Sequence, residues 1–205
     1  MGELRIVWDM FTMVRGELFH AFIHLADKRL SVPTTRATQH DMSQAWLSAI
    51  MSHTETEENI LGRVLVLVGR DTTKMGWDQV SLQYAVPWPL HLVVTPTALE
   101  KYNLNFGFLL LVRRTQAALH QLWAEAMFKS RVSRRQGDKT RDVLDTFPQT
   151  RQHMTLVDNL QYYLMADMLD TQVSALTTKL ANSTSFEDVR NFHDQFLNEM
   201  IHKLF

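Results

Sequence analysis

Glu17, His20, His24 and Asp27 recur at three- and four-residue steps, so on a helix they share one face. Two histidines one turn apart can chelate zinc, and a neighbouring carboxylate could complete such a site. The zinc-protease pattern needs a glutamate between the histidines, whereas Glu17 precedes both. No third ligand is identifiable elsewhere, so the set reads better as the polar face of an amphipathic helix than as the centre of a metal-dependent hydrolase. A second cluster is basic: Lys129, Arg131, Arg134, Arg135, Lys139 and Arg141. Positive charge at the end of a long helix complements its dipole. Nucleic-acid binding would add interleaved aromatics or a wider basic face, and neither is present. Gly69 to Gly76 encloses Lys74 but lacks the lysine-serine/threonine ending of a phosphate loop. No serine or histidine sits in a nucleophile elbow. These residues predict no catalytic centre, metal or cofactor.

Composition narrows the class. In 205 residues, 45% are hydrophobic and 21% charged, a globular balance large enough for a sizeable core. A formal net charge of −1 supplies no global field toward nucleic acid or an anionic membrane. The absence of cysteine excludes disulfides and thiol chemistry. The longest apolar runs fall far short of a bilayer span, and the amino terminus lacks a signal peptide's regions, so the expectation is a soluble intracellular protein without membrane insertion.

The elements that would position a site are mostly helical. Trp8, Phe11, Val14, Leu18, Phe22 and Leu25 recur with helical period, which predicts one amphipathic helix from about Leu4 to Leu30, stopped by Pro33. A second helix is expected from Thr38 to Met51, then a solvated acidic turn at Glu55, Glu57 and Glu58. The β-branched run Val64–Val68 lies between Gly62 and Gly69 and reads as a strand, with Leu82–Val86 as its hairpin partner and Arg70–Asp78 as the loop. Pro87 and Pro89 hold Trp88 between restricted backbones. Thr95 and Pro96 signal a helix start. A helix of about 35 residues should follow, apolar all round at Phe106, Phe108, Leu109, Leu110, Leu111 and Val112, as a strut with neighbours on several sides requires. Gln136–Pro148 reads as a mobile connector. A long helix from Thr150 to about Leu180 should carry Val157, Leu160, Leu164, Met168, Val173, Leu176 and Leu180 on one stripe. Asn182–Ser185 breaks it, and Ser185 with Asp188 predicts a capping box for a last helix. On that helix, Phe192, Phe196, Met200, Ile201, Leu204 and Phe205 are expected to need a surface from outside the chain. The fold class is mainly α: an elongated helical bundle with long helices and a small β hairpin.

Three blocks carry a family resemblance. Trp88-Pro89-Leu90, Leu99-Glu100-Lys101-Tyr102-Asn103, Phe106, Leu109-Leu110 and Val112-Arg113-Arg114 form the first. Arg15-Gly16-Glu17-Leu18-Phe19 with Ala21-Phe22-Ile23 precedes it. His153-Met154, Leu156 to Leu164 and His193-Asp194-Gln195-Phe196-Leu197 follow. In order and spacing they resemble the carboxy-terminal domain of gamma-tubulin complex components. The resemblance implies a single partial domain over residues 1–205: leading helices at 1–60, hairpin and Trp-Pro segment at 61–95, and a long-helix bundle at 96–205. It also implies truncation at both ends, because family members carry an amino-terminal helical half and further carboxy-terminal helices.

The implied function is a gamma-tubulin-binding scaffold of the ring complex that nucleates microtubules at centrosomes or spindle poles, and not an enzyme. The implied partners are gamma-tubulin and other components of the complex. Arg113, Arg114, Gln161, Tyr162, Arg134 and Arg135 are the candidate partner-binding residues, the basic ones suiting an acidic tubulin surface. Burying Arg113-Arg114 in an apolar helix also demands an ion pair or an exit to solvent. The same amphipathic pattern would serve a helical adaptor with an unrelated protein partner.

Overall fold

The computed structural model describes the backbone at 2–34, 38–53, 63–136 and 141–205, and side chains at 4–34, 38–52, 63–132 and 148–205. The described chain is mainly α with one two-stranded antiparallel sheet. Helices α1 (Gly2–Phe11), α2 (Gly16–Leu30) and α3 (Thr38–His53) precede strands β1 (Val64–Val68) and β2 (Val80–Tyr84). Then come α4 (Pro96–Gln136), α5 (Arg141–Tyr162), a π-helical segment (Tyr163–Asp170), α6 (Thr171–Ala181) and α7 (Phe186–Leu204). The chain divides into two compact units, Met1–Leu110 with Thr171–Phe205, and Leu111–Asp170.

The predicted first helix is broken in two. Met13 adopts φ 57°, and the amides of Met13 and Val14 bond back to the carbonyls of Met10 and Asp9. That pattern is a Schellman stop, normally signalled by glycine. Methionine occupies the left-handed position because its side chain is fully buried. Glu55, Glu57 and Glu58 lie outside the described residues.

β1 forms as expected, but its partner is Val80–Tyr84, two residues earlier than the alternation predicts. The register Val66↔Leu82 puts Val64, Val66 and Val68 with Val80, Leu82 and Tyr84 on the buried face. The intervening loop includes a 3-10 turn, Gly76–Gln79, and Gln79 folds back to donate to the carbonyls of Asp71, Lys74 and Met75.

Gly76 lets this loop approach α2: a Cβ there would sit 2.9 Å from Leu30 Cα and 3.1 Å from its carbonyl oxygen. Gly107, inside α4, faces open space. The two positions therefore predict opposite signs. Gly76→Ala should lose about 1–3 kcal/mol through a backbone clash. Gly107→Ala should gain about 0.5–1 kcal/mol by removing a mid-helix glycine. Denaturant midpoints of the two variants check this, and equal shifts would refute it.

α4 begins as its signals predict, with Thr95 Oγ1 accepting from the Ala98 amide at 3.2 Å. The all-round burial does not hold. Phe106, Leu109, Leu110 and Val112 are buried, but Leu111 is 56% exposed and Phe108 half-buried. The expected connector before Pro148 is helical from Arg141, and Pro148 sits inside α5. A single proline removes one backbone bond and can bend a helix without ending it. The expected continuous helix to Leu180 is interrupted by the π segment, which changes the stripe's phase: Leu164 and Met168 are buried while Leu160 is exposed. Ser185 caps α7 through the Glu187 amide at 3.2 Å.

The core of the first unit is aromatic. Phe11 packs on Tyr102 and Phe106, Phe19 on Trp46 and Phe106, and Phe22 on Trp46 and Trp77. α7 finds much of its surface within this unit: Phe196 lies against Trp8, Leu197 and Met200 are buried, and the exposed Phe205 ring meets Phe108. Only part of the outside surface expected for α7 is therefore needed. Between α4 and α7 the Tyr102 hydroxyl and His193 Nε2 lie 2.9 Å apart, fully buried. Burial pushes the Tyr102 phenol well above its usual range, and the neighbouring Trp8 side chain opposes that shift. Burial also lowers the His193 imidazole to about 4, so both groups stay neutral.

Candidate protein-binding face

All six candidate partner-binding residues fall in the unit Leu111–Asp170. Its two helices are tied by Gln116 Nε2 donating to Asp158 Oδ1 at 2.7 Å, with His120 Nε2 3.3 Å from the same oxygen. Arg113 lies one turn before Gln116, and Gln161 one turn after Asp158. Both are therefore close to the same crossing of α4 and α5.

Their surroundings differ. The Arg113 guanidinium is half-buried, and that burial lowers its pKa. Arg114 is also part-exposed. Both arginines make interactions within the chain, as a costly buried charge requires. Gln161 is 7% exposed and also makes an interaction within the chain. Tyr162 is 68% exposed. Arg134 and Arg135 lie on the last turn of α4, with side chains outside the described residues.

The unit also exposes apolar side chains that sequence reasoning assigned to the interior or passed over. Leu111, Leu122 and Phe128 on α4 are exposed, as are Leu156, Leu160 and the adjacent Tyr163. Leu156 and Leu160 on α5 and Tyr163, the first residue of the π segment, follow i, i+4, i+7 spacing and are all exposed. Concentrated exposed apolar surface marks protein association. The signal was available in the sequence, because a two-helix unit this small cannot bury a stripe on every side.

Other candidates lead elsewhere. Asp27 Oδ1 accepts from Ser31 Oγ at 3.1 Å and Trp77 Nε1 at 3.3 Å, which ties it to α2 and the loop before β2. Among the described residues, no three His, Asp or Glu side chains gather as a metal site. Among them too, no helix is long and apolar enough to cross a membrane.

Residues 1–205 match the family described as Gamma tubulin complex component C-terminal. The chain belongs to this family. Gamma-tubulin complex component 4 of Mus musculus and of Homo sapiens are each 34% identical over 229 residues, covering 100% of the chain and 33% of those proteins. Spindle pole body component 98 of Dictyostelium discoideum is 21% identical over 210 residues, again across 100% of the chain. The chain thus spans about a third of the length of the component 4 relatives. As a member of the gamma-tubulin complex component family it carries all three sequence blocks that suggested the resemblance, and its helical fold fits a scaffold.

Proposed function

We propose that this chain is part of a gamma-tubulin-binding scaffold of the gamma-tubulin ring complex, and that it supports microtubule nucleation at a microtubule-organising centre without catalysing a reaction. The observation carrying this reading is the match of the whole chain to the component family. The physical logic agrees. Nucleation from free tubulin is slow because several subunits must lose translational and rotational freedom together. A scaffold whose helices fix each gamma-tubulin in place removes part of that cost by raising effective concentration. Any nucleotide chemistry would belong to the tubulin.

On this reading the Leu111–Asp170 unit presents the contact surface. Tyr162 and Tyr163 act as aromatic anchors, while Arg113 and Arg114 face acidic groups on the guest. Neighbouring components of the complex are the second class of partner. A pull-down of gamma-tubulin by this chain, beside a version extended to family length, tests the reading. The extended form should retain gamma-tubulin, and Tyr162→Ala should weaken retention about tenfold, as a hot-spot truncation does. Failure of the extended form to retain gamma-tubulin would overturn it.

A further inference from the structure

β1 is a run of valine and leucine without charge, proline or glycine, the composition that pairs most readily with a foreign strand. A two-stranded sheet has two open edges, each a row of unmet amides and carbonyls. Here side chains occupy the middle of both. On the β1 side, Trp46 Nε1 donates to the Val64 carbonyl at 2.7 Å and Gln39 Nε2 to the Val66 carbonyl at 2.9 Å. Gln39 Oε1 accepts from the Val68 amide at 2.8 Å. On the β2 side, Asn103 Oδ1 accepts from the Leu82 amide at 2.8 Å and Asn103 Nδ2 donates to the Leu82 carbonyl at 3.0 Å.

Val66 and Leu82 are partners in the register, so Gln39 and Asn103 grip the middle of the hairpin from opposite sides. Each amide presents an acceptor and a donor, the same pair a neighbouring strand would offer. They come from α3 and α4, so each helix supplies the side chain that closes one edge. The opposite face carries exposed Leu65 and Leu67 and would add apolar contact to any strand that paired.

We infer that Gln39, Trp46 and Asn103 act as edge closures that prevent this hairpin from pairing with a second copy of the chain. The inference is independent of any tubulin contact. It predicts more than aggregation of a weakened fold, because the number of opened edges fixes the product. One open edge per molecule allows edge-to-edge pairing that closes as a two-fold dimer, whereas two open edges allow growth without limit.

The test uses the 205-residue chain in near-isosteric variants, Gln39→Met for β1 and Asn103→Leu for β2, followed at temperatures well below unfolding. Amide exchange at Val68 in the first and Leu82 in the second should accelerate at least tenfold. Analytical ultracentrifugation should show concentration-dependent dimers for each single variant and open-ended oligomers for the double variant. Gly76→Ala, destabilised without touching either edge, should remain monomeric while folded. Single variants that exchange faster yet stay monomeric at every concentration would overturn the inference. So would a Gly76→Ala chain that associates equally. If the double variant does not fold, the single-variant dimers still decide.

Discussion

Trp46→Ala is expected to be the most damaging single substitution in the hairpin-bearing unit. The ring is buried against Phe19 and Phe22, at centroid distances of 5.7 and 5.5 Å. Emptying such a site costs about 3–5 kcal/mol. The same change strands the Val64 carbonyl, which now receives the indole N–H at 2.7 Å, and a buried acceptor left unmet adds about 1–3 kcal/mol. Together these approach the whole stability of an ordinary domain, about 5–15 kcal/mol. Trp46→Phe separates the two contributions: it keeps most of the ring packing and loses the N–H, so it should cost only the smaller amount. Urea unfolding of the three proteins measures both differences, and a Trp46→Ala loss below about 1 kcal/mol would show that the ring is not part of the core.

Stability should also fall steeply in mild acid, through His193. Its folded pKa is lowered to about 4 by burial, with nearby Lys101 adding to the effect and Asp194 opposing it. Unfolded, the imidazole titrates near 6.5. Between these values the unfolded chain holds a proton that the folded chain refuses, so stability rises with pH across that window and is complete above it. As pH falls from about 6.5 to 4 the loss should accumulate to roughly 3 kcal/mol, since each unit is worth about 1.4 kcal/mol. Among the described residues His193 Nδ1 has no hydrogen-bond partner, so no acceptor at that atom stabilises the imidazolium. His193→Gln should flatten this part of the profile even if it lowers stability at neutral pH. An unfolding free energy that is constant over the window in the parent chain would rule the mechanism out.

Much of the fold could be read from residue order alone, for local reasons. The helix start at Thr95-Pro96, β1, and the break at Asn182–Ser185 are each set by capping, branching or turn residues within a few positions. The departures arise where distant contacts override local preference. Met13 stops a helix without a glycine because the core claims its side chain. β2 begins at Val80, earlier than its alternation suggests, because Asn103 on α4 anchors Leu82 as its centre. The π segment carries no proline or glycine that would announce it. For the candidate face, residue type pointed to Tyr162 as an anchor and to the arginines as needing partners inside the chain. Burial of Gln161 was not legible, because it depends on where the π segment sets the helix phase.

The joint at Met13 has a consequence for anyone wishing to streamline the molecule. Glycine, the residue best suited to its left-handed backbone, would relieve about 1–2 kcal/mol there. It would also hollow out a site filled by a fully enclosed thioether, at about 2–5 kcal/mol. Consensus-style idealisation of this corner should therefore backfire, and the chain is held to a compromise between its main-chain torsions and its interior volume.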